Sequence, residues 1–79
     1  MLADLREAYA AGDAARFRRS AHSLKSNGLT FGAVTLAAGA KDLELAGLES
    51  VRARPGDPLS AIAAEYARAA AALEALAHA

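Results

Sequence analysis

The chain has 79 residues, which suits one domain spanning residues 1–79, and its nine acidic and nine basic side chains balance. That balance argues against nucleic acid as the main partner, because phosphate-backbone binding needs a basic surplus. The lack of cysteine excludes disulfides and cysteine-based metal sites. No apolar run approaches the ~20 residues of a membrane span. We therefore expect a small reduced domain of the cytoplasm.

Alanine dominates the composition, and the β-branched aliphatic residues are only Val34, Val51 and Ile62. Because alanine has the highest helix propensity, the composition predicts an all-α fold. Four amphipathic segments with short connections follow one another along the chain. They favour an antiparallel up-down-up-down four-helix bundle.

The first helix is predicted from Leu2 to Ala11, with Gly12 as a left-handed stop. Its buried stripe consists of Leu2, Leu5 and Tyr9. Asp13 is a good N-cap for a second helix from Ala14 to about Gly28, with room for one further turn. The residues expected to face inward there are Phe17, Ala21, Leu24 and Phe31. The poor helix formers that close this helix predict a loose or bent last turn.

The third helix is predicted from Ala33 to Ala46, with Gly32 before it and Gly47 as its stop. Its stripe of mostly small residues comprises Ala33, Leu36, Ala37, Ala40, Leu43 and Gly47. The longest connection then runs from Leu48 to Asp57, with room for a frayed extra turn of the third helix.

The fourth helix is predicted from Pro58 to about Ala77, because a capping aspartate followed by proline is a strong start signal. Its heptad seam consists of Leu59, Ile62, Tyr66, Ala69, Leu73 and Leu76.

The residues around His22 suggest a site that handles a phosphoryl group. On a helical wheel His22 falls almost opposite Phe31, so its imidazole should point to water. The side chains that share its surface are Arg18, Arg19, Lys25 and Ser26. Imidazole is a nitrogen nucleophile, and nearby cations favour its neutral form and offset phosphoryl charge. Lys25 can reach a phosphate as a flexible point charge, and Ser26 can offer a hydroxyl.

Plainer readings exist for each of these residues. A lone surface histidine is usually only surface, and paired arginines usually form a solvated face. Glu44 is expected to make a surface ion pair with Lys41, and His78 is expected to be inert. We expect Gly28 and Gly32 to keep the surface beside His22 low, which would let another protein dock there.

Several separated motifs together resemble the signature of histidine-containing phosphotransfer (HPt) domains. The residues that carry the resemblance are Ala21-His22-Ser23-Leu24-Lys25-Ser26-Asn27, Phe31-Gly32-Ala33, Leu36-Ala37 and Leu43-Glu44. The resemblance implies a four-helix bundle in which His22 carries the phosphoryl group and Lys25 assists the phosphate. It implies that Gly32 leaves room for the partner. Ser26 departs from the glycine of many family members without weakening the likeness.

The leading hypothesis is a phosphorelay intermediary, which takes a phosphoryl group from one receiver domain's phospho-aspartate and passes it to another receiver. The expected docking surface around His22 comprises Ala15, Arg18, Arg19, Leu29 and Gly32. We expect a monomer that has no cofactor or metal ion and no autonomous enzymatic activity. We expect no ATP site either, since no glycine-rich phosphate loop of the Walker type is present.

Two other hypotheses compete with the relay. One is a non-catalytic helical adaptor in which His22 is incidental. The other is the dimerising phosphoacceptor domain of a sensor kinase, where an acidic residue usually follows the histidine to act as a base. Ser23 stands at that place here, which counts against it.

Overall fold

The structure is a computed structural model that describes residues 2–77. It contains four helices: α1 (Leu2–Ala11), α2 (Ala14–Thr30), α3 (Val34–Arg52) and α4 (Ser60–Ala77). Tight turns join α1 to α2 and α2 to α3, and the helices form a bundle, which confirms the predicted all-α fold. Within residues 2–77, no helix combines the length and hydropathy needed to cross a membrane. His78 lies outside the described residues.

The core lies where α1 and α3 pack against the inward face of α2, and the α2–α3 pair is the most extensively packed. The largest fully buried side chains are Phe17, Leu5, Leu24, Leu48 and Val51. Tyr9 and Phe17 join α1 to α2 through tilted rings whose centroids are 6.3 Å apart.

The predicted boundary between α1 and α2 is confirmed. Gly12 has a φ of 72°, a left-handed conformation that glycine adopts without strain. The Asp13 side chain accepts a hydrogen bond from the Arg16 backbone N–H at 3.1 Å and so caps α2. The Arg16 guanidinium contacts Glu7 at 2.7 Å and Asp4 at 3.3 Å. These contacts tie the two helices together, and the hydrogen bonds to Glu7 and Asp4 raise the pKa of Arg16.

Helix α2 stays helical through Thr30, whose hydroxyl donates to the Ser26 carbonyl at 2.9 Å. Gly28 is buried against α3, and a Cβ built on it would lie 3.0 Å from the Ala37 nitrogen. The prediction that Gly28 keeps the surface beside His22 low is therefore wrong. The missing side chain instead allows α2 and α3 to approach closely.

The prediction that Phe31 belongs to the core is also wrong, since Phe31 is 59% exposed. Helix α2 ends at Thr30, and Phe31 is its C-cap with φ −95° and ψ 6°. The helical spacing that aligned Phe31 with Phe17 and Leu24 does not continue to this residue. Its ring lies instead beside an apolar groove shared with Tyr66 and Leu73.

Gly47 breaks the helical conformation of α3 where the stop was predicted, and a second helical segment follows it. Its φ of 79° and ψ of 162° are non-helical, yet the helix resumes and continues to Arg52. The segment after the kink buries Leu48 and Val51, which are 2% and 0% exposed. That burial explains why the helical segment after Gly47 is a well-packed turn rather than a frayed one, and the connection to α4 is shorter than predicted.

Helix α4 begins at Ser60, two residues later than predicted, because Asp57 caps a preceding turn. The Asp57 side chain accepts from the Leu59 N–H at 3.1 Å, and its carbonyl accepts from the Ser60 N–H at 3.2 Å.

Only the first part of the predicted α4 seam is buried. Leu59 and Ile62 are buried, whereas Leu73 is 40% and Leu76 74% exposed. Helix α4 packs much less extensively on α3 than α2 does, which agrees with the exposure of its second half.

Candidate functional site

His22 lies in the middle of α2 with its side chain 59% exposed. Phe17 and Leu24, on the inward side of the same helix, are fully buried. The predicted outward orientation of the imidazole is therefore confirmed. The ring is open to a second protein approaching from solvent.

Glu44 reaches the imidazole from α3. Its Oε2 lies 3.0 Å and its Oε1 3.3 Å from His22 Nδ1. The two residues stand at similar distances from the turn that joins α2 to α3, so the antiparallel hairpin brings them opposite each other. The Glu44 side chain is only 18% exposed, which restricts it to this position.

The charge state of Glu44 assigns the imidazole tautomer. Desolvation raises the pKa of Glu44, but hydrogen bonds to His22 and Lys25 outweigh it, and the net pKa is lowered. The carboxyl group is therefore ionised at neutral pH and can only accept hydrogen bonds. Nδ1 must then carry the hydrogen that Glu44 accepts, which leaves the lone pair of the neutral ring on Nε2.

Lys25 completes a three-residue cluster with His22 and Glu44. Its Nζ lies 3.4 Å from Glu44 Oε2, and its side chain is 25% exposed. The predicted ion pair between Glu44 and Lys41 is wrong, because the Glu44 side chain turns toward α2, where His22 and Lys25 both contact it.

The other predicted site residues on α2 share the His22 face. Arg18 and Arg19 border a shallow groove that also contains Ser23 and Glu44. The remaining members of the face are all exposed: Ala15, Ser26 and Leu29. At 3.6 residues per turn they lie one or two turns from His22. The structure thus brings all the predicted α2 residues to one surface.

Gly32 is placed elsewhere, in the turn after α2. Its φ is 72°, and a Cβ at this position would meet open space. Ten residues of chain separate it from His22, or roughly 15 Å at the helical rise. Any part that Gly32 takes in docking would be at the edge of the surface rather than beside the imidazole.

Sequence reasoning missed Glu44 as a partner of His22. The signal that could have found it is the register of the α2–α3 hairpin, since residues equidistant from an antiparallel turn face each other.

Residues 2–77 contain no group of three side chains that could hold a metal ion.

Comparison with known proteins gives the family. The family model of the Hpt domain matches residues 1–79. No curated protein and no solved structure matched the chain. Because the family match covers its whole length, the chain belongs to the Hpt domains, the histidine-containing phosphotransfer domains of two-component signalling.

Proposed function

We propose that this domain is a phosphorelay intermediary in which His22 accepts a phosphoryl group from a receiver's phospho-aspartate and passes it to the aspartate of another receiver. The observation that carries the proposal is the exposed imidazole whose Nδ1–H is held by Glu44. This arrangement leaves the lone pair on Nε2 of a ring that is exposed to solvent, where a second protein can reach it.

The transfer step follows from that tautomer. The Nε2 lone pair attacks phosphorus, the P–O bond to the aspartyl carboxyl breaks, and the carboxylate leaves with the bonding electron pair. Both ring nitrogens then carry a substituent, so the ring gains positive charge. The Glu44 carboxylate, 3.0 Å from Nδ1, stabilises that charge in the way that a carboxylate stabilises the imidazolium of a catalytic triad. The reverse sequence delivers the phosphoryl group to the next aspartate.

The surrounding cations have separate roles in the proposal. Lys25 can turn its flexible ammonium from Glu44 toward the phosphoryl oxygens, and the Ser26 hydroxyl can donate to them. Arg18 and Arg19 border the site and attract the negatively charged acyl phosphate. The receiver would supply the metal ion and the remaining catalytic groups, so this chain would act as a carrier without ATP binding or turnover of its own.

We further propose that the domain acts as a monomer in the cytoplasm. One chain supplies all four helices and the whole His22 cluster, so a second copy is not needed to complete the site. Light scattering of the purified domain tests the oligomeric state and separates this proposal from a dimeric kinase domain.

The central experiment is phosphoryl uptake from a phosphorylated receiver domain. We expect the domain to gain label that is acid-labile and base-stable, as a phosphoramidate is, and His22→Gln to gain none. Ser23→Ala, which alters the next residue and leaves the imidazole in place, is the matched control. Label on His22→Gln would refute the proposal, and receiver binding without label would favour an adaptor.

The Glu44 contact is tested separately. Glu44→Gln keeps the shape of the side chain but removes its charge, so transfer should slow by about tenfold or more, as when the partner that orients a functional histidine is lost. Nitrogen-15 spectra should show a hydrogen on Nδ1 in the wild type and a mixture of tautomers in the variant. Unchanged spectra and rate would show that Glu44 does not act on the ring.

A further inference from the structure

A shallow groove runs between α2 and α3 from the phosphotransfer site toward the turn that joins them. It is lined by Lys25, Leu29, Val34, Ala37, Ala38 and Lys41. Leu29 is 62% and Val34 69% exposed, whereas Ala37, at 4%, forms the floor. Lys25 belongs both to this Leu29–Val34 groove and to the cluster around His22, so the two surfaces are continuous.

The surface on the other side of His22 has a different character. Toward the start of α2, the exposed face carries the guanidinium groups of Arg18 and Arg19. The imidazole therefore lies between an apolar end and a cationic end. A partner that covers His22 meets a surface whose two ends are distinguishable.

The face also carries an excess of positive charge, although the whole chain is neutral. Arg18, Arg19 and Lys41 have no ion-pair partner among the residues that the structure describes. Several acidic groups are instead paired elsewhere, as Asp42 is with Arg54 at 2.8 Å. The charge distribution favours an acidic partner on this face.

The size of a protein interface connects the groove to the transfer reaction. Leu29 lies seven residues after His22, or roughly 10 Å along the helix. A standard interface covers about 800 Å² on each partner, which as a disc centred on His22 has a radius of roughly 16 Å. A partner that brings a phospho-aspartate onto Nε2 with such a footprint therefore also covers Leu29.

We infer that the Leu29–Val34 groove is the apolar anchor of receiver docking and sets the orientation in which the receiver binds. An apolar element of the receiver, flanked by carboxylates, lies in the groove between Lys25 and Lys41. Its phospho-aspartate then faces Nε2 of His22, and Arg18 and Arg19 contact the far edge. This inference rests on the proposed function and adds the partner-contact residues of α3, which lie outside the α2 face.

The test compares two kinds of phosphoryl donor. One is a receiver domain phosphorylated in advance on its aspartate, and the other is phosphoramidate, a small donor that needs no docking surface. The double variant Leu29→Glu/Val34→Glu should lower kcat/KM for transfer from the receiver by about tenfold or more, the effect of losing an interface hot spot. Its labelling by phosphoramidate should stay unchanged, since His22 and Glu44 are intact.

A matched control comes from the other exposed apolar patch. Leu73→Glu/Leu76→Glu places the same charges on exposed leucines of α4, which line a separate groove that shares Val34 but none of the other residues of the Leu29–Val34 groove, and should leave both reactions unchanged. Lys41→Glu, a change outside the apolar contact, should slow transfer from the receiver most strongly at low salt. Circular dichroism checks that each variant folds.

The outcomes separate this inference from the proposed function. The inference is supported if the groove variant loses transfer from the receiver but keeps its labelling by phosphoramidate, and the α4 control loses neither. If the folded groove variant accepts phosphoryl groups from the receiver at the normal rate, the anchor is overturned and the proposed relay stands. The same conclusion follows if the α4 control loses as much transfer from the receiver as the groove variant. Phosphoramidate label that survives His22→Gln overturns the assignment of the acceptor itself.

Discussion

Two glycines on facing helices should respond in opposite directions to the same substitution. Gly28 in α2 is buried, and a Cβ there would lie 3.0 Å from the Ala37 nitrogen and 3.2 Å from the Ala33 carbonyl oxygen. Both neighbours are backbone atoms, which cannot move without shifting α3. Gly39 lies within α3, and a Cβ at that position would have nothing within 4 Å.

The magnitudes follow from two opposing effects. Replacing glycine by alanine inside a helix stabilises it by about 1 kcal/mol through helix propensity. At Gly39 nothing opposes that gain, so Gly39→Ala should raise the free energy of unfolding by about 1 kcal/mol. At Gly28 overpacking costs about 1–3 kcal/mol, so the net change should be between about zero and 2 kcal/mol of destabilisation.

Urea unfolding followed by circular dichroism at 222 nm measures both variants directly. In a domain of this size 1 kcal/mol corresponds to a Tm shift of about 4–8 °C, so thermal melts should also resolve the difference. A Gly28→Ala variant as stabilising as Gly39→Ala would contradict the close approach of α2 to α3 at Gly28.

Three further predictions follow. Phe17→Ala should lower the free energy of unfolding by about 3–5 kcal/mol because Phe17 is fully buried, whereas Phe31→Ala should lower it by less than about 1 kcal/mol because Phe31 is exposed. Equal losses of unfolding free energy in urea would contradict the end of α2 at Thr30. Folding lowers the pKa of the Glu44 carboxyl, so this group stabilises the folded wild type at pH values above its ordinary pKa of 4.5, and the contribution is lost as the pH falls below that value. The difference in unfolding free energy between the wild type and Glu44→Gln should therefore shrink only in acid. A difference that instead stayed constant into strong acid would contradict the ionised Glu44 carboxylate. Arg19→Glu should slow transfer from a receiver and flatten its salt dependence in stopped-flow assays, with no effect on phosphoramidate labelling.

Local sequence signals account for most of the helical layout. The Gly12–Asp13 boundary was predictable because each residue acts through its own backbone or side chain within one turn. The outward orientation of His22 was predictable for a similar reason, since helical periodicity relates it to Phe17 and Leu24 on the same helix. These features depend on neighbours no more than a few residues away.

Features that depend on a second element were not predictable in the same way. The apolar spacing of α4 continues through Leu73 and Leu76, but burial requires a second element packed on them, and both residues are exposed. Phe31 has the right spacing from Leu24 but lies past the last helical residue of α2. Gly47 breaks α3 as its helix-stop signal indicates, but the length of the helical segment after it depends on the burial of Leu48 and Val51. In each case tertiary packing decides between outcomes that the local pattern leaves open.

The His22–Glu44 contact shows why the α2–α3 hairpin, rather than α2 alone, is the functional unit. A helix can orient a histidine toward solvent, but it cannot choose which ring nitrogen carries the hydrogen. That choice needs an acceptor from another element at hydrogen-bond distance, and Glu44 provides it across the hairpin at 3.0 Å. The close approach at Gly28 sets the separation of the two helices near their turn. Among substitutions outside the site that leave the domain folded, we therefore expect those that alter the spacing of the α2–α3 hairpin to slow phosphoryl transfer most. They move the Glu44 carboxylate away from Nδ1 while leaving His22 exposed.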